Sequence, residues 1–373
     1  MTKYTTNLSV KVNIELLPGL KIDLNADRTY ALNHQEYFRA DSSGEFGHFS
    51  PKDAGSFSIS YISWGTAFNT DYNKTTSSTF ENMKADRSEI AARLSAQNPN
   101  SIGMVYDSVT QQEFPVGYGP TSQDVLIPSF VAAYTNQSVG KVPLDYFIKI
   151  PLPNWRITYD GLTKISFLSK IWKSATLSHA YRSVYAISNY GSNQYFGEEN
   201  GEPAVLYPNS NSFYPQYDVA QITIVEQFAP LFGIDMTWNN SLLTRFEYKK
   251  SRNLTFSMAN KQLTDVAGDE IVVGLGYRIK DVAFTVSSIG GGGRKTNLKS
   301  DIDIKLDFSV RNNRTVLRRV DQPLDQVSAG QQVVSVNTTI DYALSKSLTL
   351  RLYFGGPFRS CAKRYRANQP TLF

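Results

Sequence analysis

Three aspartates in one short stretch have the residue type that binds calcium. Asp301, Asp303 and Asp307 carry carboxylates, the oxygen ligands that this ion prefers. Their alternate spacing is that of one face of a strand, whereas a calcium-binding loop wraps its ligands around the ion. We therefore interpret them as a solvated charged face and predict no metal site.

A histidine close to two serines has the residue types of a hydrolase. His179 follows Ser178 and precedes Ser183. On a strand, His179 and Ser183 would share a face but lie roughly 13 Å apart, beyond hydrogen-bond reach. A nucleophile from another strand would still fit the histidine. We predict that the protein is not an enzyme and keep a barrel-embedded lipid hydrolase as an alternative.

Two glycine-rich stretches resemble ligand-binding loops in composition. Gly290 to Gly293 precedes Arg294 and Lys295, but the order of strand, lysine and helix that defines a P-loop is missing. Gly274 and Gly276 precede no helix, so they do not match a dinucleotide fingerprint. We predict a flexible hairpin loop at the first, a crowded strand at the second, and no cofactor.

The aspartates belong to a longer pattern, from Asp301 to Arg311, in which apolar and polar residues alternate without interruption. Because successive side chains of a strand point to opposite faces, this pattern predicts one apolar and one charged face. The apolar residues are Ile302, Ile304, Leu306, Phe308 and Val310. The polar residues are Asp301, Asp303, Lys305, Asp307, Ser309 and Arg311.

The same alternation recurs along much of the chain. It predicts an initial hairpin of two strands, Leu8 to Leu16 and Leu20 to Ala26, followed by a polar connection from Arg28 to Gly55. Beyond residue 218 it predicts a meander of strands joined by short turns. The predicted turns are Asn239-Asn240, Ser251 to Asn253, Gly268-Asp269 and Leu344 to Lys346.

Two polar stretches interrupt these strands. The first, residues 69 to 145, contains two helix patterns, Thr79 to Ala96 and Ser122 to Tyr134. The second, residues 189 to 217, is rich in Asn, Ser, Gly and Tyr. Both are too long for the tight turns of a barrel, so we predict one mainly helical insertion and one long loop. The proline-rich run between them, Ile150 to Trp155, is typical of a rigid connector.

The composition is compatible with a membrane β-barrel. The 373 residues carry a net charge of +5 that is spread along the chain, which does not indicate a nucleic-acid surface. Aromatic residues make up 13%, and no apolar run approaches the length of about 18 residues that a transmembrane helix needs. The single cysteine excludes an internal disulfide and a thiolate metal cluster. The N-terminus shows no signal-peptide pattern.

Aromatic residues in the apolar phase near strand ends favour a membrane barrel over a soluble sandwich, because aromatic girdles lie at membrane interfaces. A secreted or surface β-sandwich adhesin stays open as an alternative. The predicted lipid-facing residues are Trp238, Tyr248, Tyr277, Ile302, Ile304, Leu306, Phe308, Val310 and Tyr342. The predicted lumen-facing residues are Arg245, Glu247, Lys249, Arg278, Asp301, Asp303, Lys305, Asp307 and Arg311.

Several runs resemble the C-terminal region of the SprA/Sov family, the outer-membrane translocon of the Bacteroidetes type IX secretion system, which serves gliding motility. The longest is Ile150 to Leu162, with the sequence IPLPNWRITYDGL. Any one of these runs is a weak signal by itself, but their occurrence together in the same order is specific. The others, between about residues 55 and 355, are Phe68 to Tyr72, Tyr118 to Gln123, Leu177 to Ser183, Phe246 to Arg252 and Gly274 to Arg278.

The residue patterns and the resemblance together predict an all-β fold, in which an antiparallel meander forms the C-terminal sector of a very large transmembrane β-barrel with one mainly helical insertion. Barrel strands are expected at 1–68 and 218–355, and a linker and a barrel strand at 146–188. The insertion is expected at 69–145, the long loop at 189–217 and an irregular basic tail at 356–373.

The resemblance implies that folded cargo with a C-terminal sorting domain crosses the outer membrane, at the cell surface of a Bacteroidetes-type bacterium, through this barrel. The implied partners are outer-membrane lipid, the remaining N-terminal part of the translocon, a barrel of the PorV type and a periplasmic plug protein. Because members of the family are several times longer, we expect the chain to be a fragment. Gly355 to Phe373 lacks the final alternating strand of the family, which suggests an altered or frame-shifted end.

Overall fold

The computed structural model describes residues 1–69, 76–287, 295–322, 325–345 and 348–360, with the backbone alone for 283–287, 295–300, 343–345, 348 and 357–360. Its two α-helices are α1 (Ser78–Ser95) and α2 (Gln123–Thr135). Its strands are β1 (Thr2–Leu17), β2 (Leu20–Ala40), β3 (Phe46–Ser60), β4 (Met104–Asp107), β5 (Gln112–Pro115), β6 (Asn154–Tyr159), β7 (Trp172–Ser192), β8 (Glu198–Glu199), β9 (Glu202–Pro203), β10 (Tyr217–Val219), β11 (Gln221–Trp238), β12 (Leu242–Ser257), β13 (Gln262–Ser287), β14 (Lys295–Arg319), β15 (Gln326–Ser345) and β16 (Leu348–Ser360).

One antiparallel sheet organises the described part of the chain. Its main order is β1-β2-β3-β7-β11-β12-β13-β14-β15-β16, so from β11 onwards each strand pairs with the next in sequence. Two small hairpins, β4-β5 and β8-β9, form separate sheets. The predicted all-β meander with a helical insertion is therefore confirmed. Each outer strand, β1 and β16, has one strand partner within the described residues.

A single position in the sheet is shared by β3 and β6. The first part of β2, Leu20 to Asn25, pairs with β6, and its later part, from Arg28, pairs with β3. On the other side β7 pairs with the same two strands in the same order. The chain therefore leaves the sheet after Ser60, forms the insertion, and returns at Asn154 to continue in the same direction. The amide of Leu152 donates to Ser60 O at 2.9 Å and closes this excursion.

Both insertions pack on one face of the sheet. Phe130 of α2 stacks on Phe256 of β12 with ring centroids 5.7 Å apart, and Met83 of α1 is fully buried in the same core. The second insertion packs on the first, since the ring of Phe213 contacts that of Tyr118 edge-on at 5.5 Å. This core covers only one half of the face. No helix among the described residues is long and apolar enough to cross a membrane.

The helices lie where the sequence predicts them, and α1 has a defined start and α2 a defined end. The hydroxyl of Ser77 accepts from Phe80 N and caps α1. The C-terminal residue of α2 is followed by Asn136 in the left-handed conformation (φ 55), a common helix end. The structure thus begins and ends both helices within a residue of the predicted bounds.

The strands are longer than predicted, and several predicted turns are wrong. The polar connection from Arg28 to Gly55 is instead the continuation of β2 and β3, which pair as far as Ala40 with Phe46. Ser251 to Asn253 lies inside β12, and Gly268-Asp269 lies inside β13. In each case neighbouring strands supply backbone partners throughout, so local polarity does not end the strand. The predicted tail at 356–373 begins too early, because β16 runs to Ser360.

Candidate lipid-facing and lumen-facing surfaces

Strand register places the two predicted sets of residues on opposite faces of the sheet. Leu306 pairs with Leu275, and Phe308 pairs with Val273 and Val336, so the apolar phase runs across β13, β14 and β15. Paired residues of an antiparallel sheet project from the same face. The predicted lipid-facing residues, from Trp238 to Tyr342, therefore share one face. The predicted lumen-facing residues, from Arg245 to Arg311, share the other.

Much of the first face is apolar and exposed. Leu275 is 50% exposed and Phe308 43%, although a soluble protein rarely leaves so many such side chains uncovered together. We call these residues the apolar belt. It crosses the sheet from β1 to β16, and its exposed members include Val10, Val12, Ile14, Phe232, Phe246, Ile271, Val273, Leu275, Tyr277, Leu306, Phe308, Leu350 and Leu352.

The height of the apolar belt is close to that of a membrane barrel. On β14 the apolar residues run from Ile302 to Val310, eight steps that span roughly 26 Å along the strand, or about 20 Å along the barrel axis at a tilt of about 40°. The apolar band of outer-membrane barrels is about 25 Å tall. Trp172 and Trp238 meet edge-on at one end of the belt, with ring centroids 6.1 Å apart. In membrane barrels, aromatic girdles lie at the ends of the apolar band. Tyr342, however, is buried, and its hydroxyl donates to Val282 O at 3.3 Å.

The opposite face carries ion pairs along the same strands. Glu247 is flanked by Arg245, which is in direct contact, and by Lys249, whose Nζ lies 3.0 Å from a carboxylate oxygen. Further along the sheet Arg278 Nε lies 2.6 Å from Asp303. Most of these cations are at least one third exposed, so each pair contributes little to stability. These pairs make this part of the face hydrophilic.

Gly274 is crowded by two charged side chains that converge on this face. Gly274 lies between Arg245 on β12 and Asp307 on β14. A Cβ at Gly274 would lie 2.6 Å from Asp307 Oδ1 and 3.1 Å from Arg245 Cβ. The crowding predicted for Gly274 and Gly276 is therefore present.

A buried polar cluster lies where β3 leaves the sheet. Glu226, 1% exposed, accepts from the Ser63 hydroxyl at 2.7 Å and from the Tyr181 hydroxyl at 2.9 Å. Its other oxygen lies 3.0 Å from Arg252, which also donates to Thr66 Oγ1 at 2.8 Å. These five residues form what we call the junction cluster. It joins the start of the insertion to β7, β11 and β12, at the edge of the apolar belt that is next to the insertion.

The residues first considered for chemistry have other partners. Asp303 pairs with Arg278, and His179 Nδ1 lies 2.6 Å from Leu231 O rather than near Ser183. The Ser183 hydroxyl is 2.9 Å from that of Ser63 in the junction cluster. Gly290 to Gly293, with Arg294, lies outside the described residues.

Sequence reasoning missed a group of cations on the apolar-phase face. Lys250 and Arg252 follow Tyr248 in the same phase of β12, and Arg314 and Arg318 follow Val310 on β14. The signal was present, because charge replaces apolar residues in an otherwise alternating strand. It marks where the belt ends and the covered half of the face begins.

No protein-family model matches this sequence, and no curated protein is similar to it. A β-sandwich would require a second sheet that packs on the apolar belt. Among the described residues no second sheet packs there.

Proposed function

We propose that this chain forms part of the wall of a protein-conducting barrel in the outer membrane. The observation that carries the proposal is the combination of an exposed apolar belt on one face with a polar face that carries ion pairs on the other. Lipid would cover the belt, and an aqueous passage would run along the charged face. The membrane band and the hydrophilic wall are thus built from the same strands.

The size of the passage follows from the openness of the sheet. Both β1 and β16 present an edge without a strand partner among the described residues. Exposed edges of this length cannot be left unpaired in a bilayer, so further strands must complete the wall. A barrel that includes these strands together with others would be wide enough for a polypeptide, unlike barrels of about eight strands, whose interiors are filled by side chains.

The resemblance to the SprA/Sov family supplies the cargo and the partners of the proposal. We propose export of folded proteins that carry a C-terminal sorting domain, as in type IX secretion. The remaining part of the translocon would pair with the sheet edges. A PorV-type barrel and a periplasmic plug would close the passage.

Detergent binding tests the membrane part of this proposal. The full chain is extracted from membranes and its mass analysed by size-exclusion chromatography with light scattering. We expect a detergent belt and no folded species in detergent-free buffer. A folded, detergent-free monomer would rule out the wall.

Depletion of the chain in the bacterium that makes it tests the transport part. We expect proteins with C-terminal sorting domains to accumulate in the periplasm, while other outer-membrane barrels assemble normally. Unchanged export after complete depletion would contradict the proposal.

A further inference from the structure

The β4-β5 hairpin of the first insertion exposes a row of apolar side chains. Met104 is 57% exposed and Tyr106 is 62% exposed, and Ile102, just before β4, is 81% exposed. Val109, in the turn of the hairpin, is also exposed. Strand β5 lies against α1 instead, and its Phe114 is buried in the core. The apolar side chains therefore form an exposed patch along β4, and such patches mark interaction sites.

The backbone of β4 leaves one edge of this hairpin open to a further strand. Val116 N donates to Gly103 O at 3.1 Å, so the hydrogen-bonded pairs of the hairpin alternate from that pair onwards. Met104 and Tyr106 lie between hydrogen-bonded pairs, where N–H and C=O groups point away from β5. Among the described residues only β5 pairs with β4. On β5 one of the outer positions is Pro115, which has no N–H to offer a partner, so β4 is the edge that an incoming strand would use.

The surface around this edge is acidic. Residues 94–140 of the first insertion and 189–217 of the second contain six acidic residues and no Lys, Arg or His, although the whole chain has a net charge of +5. The two insertions meet next to the hairpin, because Asn100 Nδ2 donates to Glu199 O at 2.8 Å. Five of the acidic residues lie on the β4-β5 and β8-β9 hairpins: Asp107, Glu113, Glu198, Glu199 and Glu202.

None of these five carboxylates forms an ion pair with another residue that the structure describes. Asp107 caps the turn of the hairpin, because its Oδ2 accepts from the amide and the hydroxyl of Thr110, both at 2.7 Å. Arg87 of α1 lies near Asp107, but it is buried and donates to Lys84 O and Pro120 O at 2.9 Å. The exposed surface therefore favours a cationic partner.

We propose that β4 docks an extended, positively charged segment of a partner protein, which adds to the hairpin as a third strand. Backbone groups of the segment pair with those of Met104 and Tyr106, as in other cases of strand addition. Its cations face the carboxylates of the two hairpins and select it over acidic or neutral segments. Because β4 is short, few backbone hydrogen bonds form, and apolar contact with Ile102 and Val109 adds to them. The site lies on the insertion and does not depend on the proposed wall.

Binding of two synthetic peptides to the full chain in detergent tests the chemistry of the partner. One peptide alternates lysine and valine over about eight residues, and the other alternates glutamate and valine over the same length. Fluorescence anisotropy of the labelled peptides gives the dissociation constants. We expect the lysine peptide to bind at least about tenfold more tightly than the glutamate peptide. Equal affinities, or no binding of either peptide, would overturn the proposal.

Two variants of one residue separate strand addition from general attraction to an acidic surface. Tyr106→Pro removes the outward N–H and keeps the bonds to β5, because proline is tolerated at the outer positions of edge strands. Tyr106→Ala removes the same ring and keeps the N–H. We expect the proline variant to bind the lysine peptide about tenfold more weakly than the alanine variant, because a carbonyl of the peptide stays unpaired. Equal affinities would overturn strand addition. If Tyr106→Pro does not fold, Met104→Pro and Met104→Ala repeat the comparison.

Photo-crosslinking locates the bound peptide in the natural chain. A benzophenone group at the centre of the lysine peptide is activated by light, and the crosslinked residues are mapped by mass spectrometry. We expect crosslinks between Ile102 and Val109. Crosslinks confined to other parts of the chain would overturn the site.

Light scattering of the full chain tests whether a second copy is the occupant. We expect no oligomer that depends on β4, because two acidic edges repel each other. An oligomer that Tyr106→Pro converts to a monomer would mean that β4 pairs with itself, and the assignment of a cationic partner would be wrong. A chain that carries a detergent belt but binds no peptide would lose the docking site and keep the proposed wall.

Discussion

The apolar-phase face of the sheet has two halves with different surroundings. In the half that the insertions cover, which we call the upper half, Phe256 is fully buried beneath α2. In the other half, the lower half, Phe308 is 43% exposed. The two residues belong to the same face and to the same alternating pattern. Alternation of apolar and polar residues therefore identifies a face of the sheet but does not identify what covers that face. A protein core covers the upper half, and in our proposal lipid covers the lower half.

The largest difference between the halves is expected for removal of a ring. Phe256→Ala should lower the free energy of unfolding by about 3 to 5 kcal/mol, because it leaves a cavity beneath α2. Phe308→Ala should cost distinctly less, because acyl chains or detergent can fill the space. Urea unfolding of both variants in the same micelles measures the difference. Equal costs would mean that Phe308 also packs against protein.

The junction cluster at the border of the two halves should also be sensitive. Glu226→Gln should cost about 3 kcal/mol, because Arg252 then remains buried without a counter-charge. The same change at Glu247, on the charged face, should cost about 1 kcal/mol or less, because Arg245 and Lys249 are partly exposed to water. If the two variants lose equal stability in urea, the border is not a closed core.

A charge placed in the lower half tests the lipid environment itself. Leu306→Arg should cost roughly 2 to 4 kcal/mol in a bilayer, because the charge lies in the hydrocarbon layer. Asp307→Arg, the next residue on β14, should be nearly silent for folding because it faces the charged surface. Unfolding of both variants from phospholipid vesicles gives the values, and equal effects would contradict the assignment of faces.

The smallest expected effect lies in the covered half, in the insertion. Burial raises the pKa of Asp124 to about 7, well above its ordinary value. The folded state then binds more protons than the unfolded state between about pH 4 and 7, so this group makes stability fall as the pH rises through that range. Asp124→Asn should raise stability at pH 8 by about 1 kcal/mol, because it removes an ionised carboxylate from a buried position. The gain is limited because Asp124 is partly exposed and lies in the first turn of α2, where a negative charge is favourable. The variant should match the natural chain at pH 4, and a gain of the same size at both values would exclude a titrating carboxylate as the cause.

The sequence predicts the meander and both helices well, because alternation and helix caps are local signals. Ile302 to Val310 lies on one face as the pattern indicates, and α1 begins at its serine cap. Strand length was underestimated, since the polar residues of β2 after Arg28 are held in the sheet by β3 rather than by any preference of their own.

The junction cluster and the group of cations beneath the insertion could not be predicted in the same way. Glu226 and Arg252 are partners in the β11–β12 pair, but Ser63 is far away in sequence and reaches them only because the chain leaves the sheet after β3 at this point. Lys250 and Arg314 were visible as charges in an apolar phase. Their convergence beneath the insertion depends on tertiary packing.

Spin labels at two adjacent residues of β14 test the two-faced wall most directly. Cysteines are placed at Phe308 and Ser309 in a Cys361→Ser background, labelled and reconstituted in phospholipid vesicles. We predict that the label at 308 collides with oxygen dissolved in the bilayer and is shielded from a water-soluble nickel chelate, and that the label at 309 shows the reverse. Equal access of the nickel chelate to both positions would contradict a lipid-facing belt.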